Sequence, residues 1–285
     1  MKDLTVVILT HNRGILLINT IISVLNQNYT DFFLVISDNS SNNDTFNLLN
    51  ENGLLNKIDY RKRKIEYSSF DHFNLCMSEI KTKYFMLFHD DDLMMSNMVD
   101  TLYNKIKSTN YVAVASNGFF LLDNKRTTKK FYELKQREIE INSVDLAEYY
   151  CMGKVAPFPS YMYNKELLKN KMFINNVGKY SDVTWLLNLL ENNAILWLDK
   201  PLMYYRLHKN QDSFSNDYKN QLKLIKILEK SCLHGKIILK YRVNNLYFYE
   251  TKNRKRVRNI YIYMKYSFFY LFPRVIIKKI FGIIS

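Results

Sequence analysis

A chain of 285 residues suffices for one large domain, or a domain with an appendage, and 47% hydrophobic residues is ordinary for a globular protein. Seven glycines and four prolines exclude collagen-like, linker-rich and disordered readings. The net charge of +14 is unevenly placed: 12 of the 41 Lys and Arg residues and a single acid, Glu250, fall in residues 235–285, so the body is nearly neutral and the C-terminal segment is basic.

Leu4-Thr5-Val6-Val7-Ile8-Leu9 reads as a buried strand and Thr10-His11-Asn12-Arg13-Gly14 as a turn. Ile15, Ile18, Ile21, Ile22 and Leu25 then recur at helical spacing over 15–26. A second strand over 32–36 runs into the polar loop from Asp38 to Asp44, and Asp44 is placed to cap a helix to about residue 52. A short basic strand is expected over 57–64, a helix over 70–80, and a strand over 84–88. A helix from about 94 to 107 and a strand over 111–116 follow. Beyond that the pattern predicts a hairpin over 119–133 turning near Asp123-Asn124, helices over 143–152 and 180–191, and strands at 161–163 and 194–198. Everything after Ser213 reads as helical. The β-α-β-α alternation predicts an α/β fold with a doubly wound, mostly parallel sheet flanked by helices.

The chemistry concentrates at strand exits. His89-Asp90-Asp91-Asp92 follows the apolar strand Tyr84-Phe85-Met86-Leu87-Phe88. Three carboxylates at the exit of a buried strand repel one another and call for a counter-charge, most simply a divalent cation. The alternative is a solvated acidic turn in which Asp92 caps a helix starting near Leu93. Two further polar loops fall on the same sheet edge, where open α/β sheets bind ligands. Thr10, His11, Asn12 and Arg13 offer groups suited to a base, ribose or diphosphate, and Asp38 offers a hydrogen-bond acceptor. There is no G-x-G-x-x-G after the first strand, no G-x-x-x-x-G-K-[ST] and no G-x-S-x-G, which argues against nicotinamide-type, P-loop and serine-hydrolase sites.

In order and spacing these segments resemble family 2 glycosyltransferases of the GT-A fold. The segments are Thr5 to Arg13, Ser23-Val24-Leu25-Asn26-Gln27-Asn28-Tyr29, Val35 to Ser41, Phe88 to Asp92, Lys179-Tyr180-Ser181-Asp182, and Tyr204-Tyr205-Arg206-Leu207-His208 with Ser213. The resemblance implies a catalytic domain over 1–215, with a nucleotide-binding half at 1–117 and an acceptor-side half at 118–215. It implies an inverting glycosyltransferase using Mg²⁺ or Mn²⁺ and a nucleotide sugar, most simply a UDP-sugar. A hydroxyl of a glycan or polyprenyl-linked acceptor would receive the sugar, in surface-polysaccharide assembly. Thr10, Asn12, Arg13, Asp38, Asn39, Asp90 and Arg206 would bind the sugar nucleotide. Asp91, Asp92 and His208 would hold the metal, and Asp182, the lone carboxylate where the family usually has an acidic pair, would be the general base. His89 stands where many members have aspartate, and Asn39 where many have a second aspartate.

Residues 216–285 are expected to be a helical, basic extension. Arg254-Lys255-Arg256-Val257-Arg258, then Tyr261, Tyr263, Tyr266, Phe268, Phe269, Tyr270 and Phe272, suit peripheral contact with an anionic membrane, a packed subdomain or an oligomer contact. No motif supports nucleic-acid binding, although a basic membrane- or nucleic-acid-binding module, or a nucleotide-sugar binder without transfer activity, are the alternative functions. Cys76, Cys151 and Cys232 lack metal-ligand spacing, and no run of about 20 apolar residues or leader pattern occurs, so a cytoplasmic protein with reduced thiols is expected.

Overall fold

The structure is a computed structural model and describes residues 2–122, 124–208 and 217–252. The chain runs β1 (Leu4–Thr10), α1 (Ile15–Leu25), β2 (Phe33–Asp38), α2 (Asp44–Glu51), β3 (Asp59–Lys62), α3 (Ser69–Glu79), β4 (Tyr84–His89), β5 (Leu93–Met94), α4 (Met98–Lys107), β6 (Ala113–Leu122), β7 (Lys125–Lys130) and β8 (Glu138–Ile141). It continues through α5 (Ser143–Cys151), β9 (Tyr161–Asn164), α6 (Lys165–Leu168), α7 (Ser181–Leu189), β10 (Ile195–Leu207), α8 (Tyr218–Ser231) and α9 (Gly235–Lys252).

The ten strands of the described residues join one sheet, ordered β3-β2-β1-β4-β9-β6-β10-β5, with β7 beside β6 and β8 beside β10. β3, β2, β1 and β4 are mutually parallel, β6 and β10 are parallel, and β9 lies antiparallel between β4 and β6. Parallel strands need covering on both faces, and β1 shows how the sequence meets this. Leu4, Val6 and Ile8 point into one core with Leu17, Ile21 and Val24 of α1 and Leu102 and Ile106 of α4. Val7 points into the other core, with Cys76 and Met77 of α3, Trp185 of α7 and Leu224 of α8. Phe85 and Trp197 are almost wholly buried in this second core, where truncation to Ala would cost about 3–5 kcal/mol.

Several local expectations are corrected. The segment at Leu93–Met94 is a short strand on β10, and the helix begins only at Met98. Asp44 lies in the first turn of α2 rather than capping it, and Asn43 occupies the cap. The strands expected at 111–116 and the start of the hairpin are one strand, β6, which Gly118 does not interrupt. The strand expected to stop at Leu198 continues to Leu207, because a register shift at Pro201 absorbs the residue that cannot donate to the ladder.

α8 and α9 pack on one another and on α5, with Leu224, Ile225, Leu228, Ile238 and Val243 buried. The basic-aromatic run over 254–285 and Ser213 lie outside the described residues.

Candidate active site

The strand register brings the polar loops together. Thr10 at the end of β1 pairs with Asp38 at the end of β2, and Leu9 pairs with His89 at the end of β4. The chain after β4 therefore turns at the carboxyl edge of the sheet, and Asp90, Asp91 and Asp92 are buried there.

Each aspartate has a different environment. Asp90 faces Arg13, whose Nε lies 3.3 Å from Oδ1. Burial nonetheless pushes the Asp90 carboxyl up to about 6, against the pull of Arg13 and with repulsion from Asp91 adding to the rise. Asp91 Oδ2 lies 2.8 Å from His208 Nε2. Asp92 is fully buried, and Oδ1 accepts the Arg206 backbone N–H at 2.8 Å. Among the described residues its Oδ2 has no hydrogen-bond partner, and it lies 3.7 Å from His89 Nδ1. Burial, then repulsion from Asp91, holds the Asp92 carboxyl well above the usual carboxylate range. No helix starts at Leu93, so Asp92 caps nothing. The Thr20 hydroxyl instead fixes its carbonyl at 2.8 Å.

One ligand atom from each of His89, Asp91 and Asp92 falls within 4.8 Å of the others. A buried carboxylate oxygen without a partner, beside a second carboxylate and an imidazole, fits a divalent cation with mixed oxygen and nitrogen donors. His89 was not assigned as a ligand from sequence. The signal for it was its place at the head of the acidic run.

A cleft of about 910 Å³ opens above this edge. Thr10, Arg13, Asn39, Asp90, Asp91 and Asp182 line it, together with His11, His72, His89, Phe158, Lys179, Tyr180 and Tyr205. Asp182 comes from the first turn of α7, which follows a 3-10 turn over Gly178–Tyr180. Gly178 has φ +57° and sits against the start of α8, so a side chain there would collide with Asp217 and Asn220. Asp182 Oδ1 accepts the Val183 N–H at 2.8 Å. Burial pushes the Asp182 carboxyl up to about 6, because the backbone N–H groups of Val183 and of Asp182 itself only partly offset desolvation.

The other predicted residues divide in two groups. Asp38 and Asn39 are buried and already bonded. Asp38 accepts from the Ser40 N–H (2.9 Å), the Tyr60 hydroxyl (2.6 Å) and Lys62 Nζ (3.3 Å). Asn39 donates to the Tyr67 carbonyl and accepts its N–H, both at 2.9 Å, clamping the segment after β3 to β2. Asn12, at φ 52°, takes the left-handed turn and receives Ser41 from the opposite loop. Asp38, Asn12, Asp92, Arg206 and His208 do not line the cleft: Asp38, Asp92 and Arg206 are buried, and Asn12 is exposed beside it. Arg206 Nε donates to the Asp91 carbonyl at 2.7 Å, and its Nη1 donates to Asn124.

Sequence reasoning missed His72. It lines the cleft on the α3 side with Nε2 2.6 Å from the Ser37 hydroxyl, and burial with the nearby Arg63 guanidinium lowers it to about 4, so it is neutral at physiological pH. Of the aromatics at 157–161, Phe158 lines the cleft, while Tyr161 is a core residue receiving the Trp197 Nε1–H at 2.9 Å.

The pattern of glycosyl transferase family 2 matches residues 5–166, more than half of the chain. The chain belongs to glycosyl transferase family 2. It is a glycosyltransferase. A GalNAc(5)-diNAcBac-PP-undecaprenol beta-1,3-glucosyltransferase of Campylobacter jejuni is 27% identical over 244 residues, covering 80% of this chain and 75% of that protein. The poly(ribitol-phosphate) beta-N-acetylglucosaminyltransferase TarP of Staphylococcus aureus is 29% identical over 179 residues, 61% of this chain and 54% of that protein. Among solved structures, S. aureus TarS 1-349 in complex with UDP-GlcNAc superposes with a TM-score of 0.64 at 15% identity, over 87% of this chain and 74% of that one. The mannosyltransferase PcManGT of Pyrobaculum calidifontis, with GDP-Man and Mn²⁺, superposes at 0.53 and 11% identity over 86% and 64%. At those identities the shared property is the GT-A fold. Among the described residues no helix is long and apolar enough to cross a membrane.

Proposed function

We propose that this family 2 glycosyltransferase moves a sugar, with inversion, from a UDP-sugar to a hydroxyl of a glycan or polyprenyl-linked acceptor, with Asp182 as general base. The observation that carries the reading is that Asp90 and Asp91, delivered by β4, and Asp182, delivered by α7, line one cleft. UDP-GlcNAc in the TarS complex supports the donor, and the acceptor in the C. jejuni relative's name supports the lipid-linked class.

Asp91, Asp92, His89 and His208 would hold the Mg²⁺ or Mn²⁺ ion. When bound, that ion supplies positive charge against the departing nucleoside diphosphate. Arg13 stands at the cleft wall, 3.3 Å from Asp90, where it orients that carboxylate and reaches toward the diphosphate side. Asp182 is partly buried and its Oδ1 accepts the Val183 N–H, and its carboxylate would take the acceptor proton. Thr10 and Asn39 shape the base pocket, and Asp38 supports it from behind. The enzyme is expected to work at the cytoplasmic face of a membrane, with residues 254–285 providing peripheral contact.

The test is thermal stabilisation by a panel of nucleoside diphosphates and their sugars, with and without Mn²⁺, in wild type, Asp91→Ala and Asp182→Asn. A metal-dependent shift with uridine nucleotides, lost in Asp91→Ala and kept in Asp182→Asn while transfer stops, supports the reading. Wild-type turnover in Asp182→Asn ends the general-base assignment.

A further inference from the structure

One polar side chain in the cleft wall uses only half of its bonding capacity. His72 of α3 lines the cleft and is 4% exposed. Its Nε2 is committed to the Ser37 hydroxyl at 2.6 Å. Its Nδ1 has no hydrogen-bond partner among the described residues. A buried ring nitrogen left unpaired carries a desolvation cost that a ligand meeting it would remove.

A run of bonds behind the wall fixes the ring and its proton. Glu79 takes both ends of the Arg63 guanidinium, Nη1 at 2.6 Å and Nη2 at 2.8 Å. Arg63 Nε donates to Ser37 Oγ at 2.8 Å. Arg63 cannot accept, so the Ser37 hydrogen goes elsewhere. Its choices are His72 Nε2 and the buried Cys76 thiol, and the imidazole nitrogen is the stronger acceptor. Nε2 therefore accepts, and the ring hydrogen stands on Nδ1.

The wall thus presents one preset N–H donor without a net charge, since Glu79 answers Arg63 and the ring is neutral at physiological pH. A neutral N–H suits a carbonyl, whereas a diphosphate calls for cations. Ser37 stands two residues before Asn39, which lines the cleft at the exit of β2. Tyr67, Phe70 and Phe73, from the segment around His72, line the cleft as well and offer flat apolar groups to a heterocycle.

We propose that His72 reads the base of the donor, its Nδ1–H donating to a uracil carbonyl. This role rests on the UDP-sugar reading above and names the residue that would select the base.

The experiment is calorimetric titration of the full chain, with Mn²⁺, using UDP and inorganic pyrophosphate as a base-free probe. Counting bonds from Cβ, a Gln amide nitrogen can take the Nε2 position and an Asn amide nitrogen the Nδ1 position. UDP should bind about fivefold to tenfold more weakly in His72→Gln and within about twofold of wild type in His72→Asn. Pyrophosphate should bind equally to all three. A ligand-side change needs no variant to fold: 2-thio-UDP or 4-thio-UDP should bind the wild type about fivefold more weakly than UDP, because sulfur is the poorer acceptor. That penalty should vanish in His72→Gln. Unchanged UDP affinity in His72→Gln, equal losses of UDP and pyrophosphate, or no penalty for either thio nucleotide overturns the role of His72. If the wild type prefers UDP to CDP and GDP and His72→Gln keeps that preference, only the role of His72 falls. If the wild type binds pyrophosphate but no uridine nucleotide, the donor reading falls with it.

Discussion

Arg206 holds Asp92 through its backbone and Asp91 through its side chain. Its N–H donates to Asp92 Oδ1 at 2.8 Å and its Nε to the Asp91 carbonyl at 2.7 Å, across more than a hundred residues of sequence. The far end of β10 is thereby tied to the turn after β4, and the acidic run is held from behind while Asp90 and Asp91 line the cleft.

That arrangement leaves Asp92 Oδ2 buried without a hydrogen bond among the described residues, a desolvation cost that a bound cation would offset. Asp92→Asn is expected to raise the melting temperature of the metal-free protein at pH 7.5 and to abolish stabilisation by Mn²⁺. Differential scanning fluorimetry with EDTA and with Mn²⁺ reads both effects. A variant that still gains the full Mn²⁺ shift would remove Asp92 from the ligand set.

Asp182 makes a pH prediction with a definite sign. Its carboxyl is held up at about 6 against an ordinary 3.8, so the folded protein keeps this proton where the unfolded chain has lost it. Relative to an unperturbed group, the ionised side chain costs stability above pH 6, and the cost disappears as pH falls toward 3.8. Asp182→Asn should gain about 1–3 kcal/mol at pH 7.5 and nothing near pH 4, by urea melts at the two values. In the wild type, kcat/KM should rise as pH climbs through about 6 and then level, as expected of a base that must be ionised.

Tyr60 donates to Asp38 Oδ2 at 2.6 Å, inside a carboxylate that accepts two other donors. Tyr60→Phe should destabilise the protein by about 1–3 kcal/mol, the range for a hydrogen bond to a buried charged group. The donor KM should rise more than kcat falls, since Asp38 anchors the loops proposed to hold the nucleotide. An unchanged KM with a tenfold loss of kcat, roughly 1.4 kcal/mol, would contradict this placement.

Gly178 shapes the turn before Asp182, the proposed base. With φ at +57° and Asn220 Nδ2 only 2.4 Å from where a Cβ would stand, Gly178→Ala strains the turn and pushes against the start of α8. A loss of about 1–3 kcal/mol in stability is expected. The larger fractional loss should be in kcat, with nucleotide binding preserved. Retained kcat in a destabilised variant would show that Asp182 is held by other means.

Much of the sheet was legible because its signals are local. The apolar runs in β1 and β4 and the spacing in α1 each sit within about ten residues. β5 was hidden because two residues carry no period, and its pairing with Met203 and Tyr204 is settled more than a hundred residues later. β8 alternates Glu138-Ile139-Glu140-Ile141 but is too short to stand out. Thr10, Arg13, Asn39, Asp90, Asp91 and Asp182 could be placed on one cleft from strand exits and the family resemblance. That Asp38 is already saturated by Tyr60 and Lys62, or that Ser37 holds His72, depends on contacts no spacing rule contains.

The place of β9 in the sheet has a consequence for biosynthesis. β4 and β6 never pair directly, since residues 161–164 slot between them and bond to both. While a ribosome has issued only the first 150 or so residues, strand β4, which leads into the acidic run, has an open hydrogen-bonding edge, flanked by Phe85 and Leu87, that no later step has yet covered. Nascent chains stalled or cleaved in that interval should be sticky and dependent on chaperones. The sheet closes only when a strand made late is inserted between two made early.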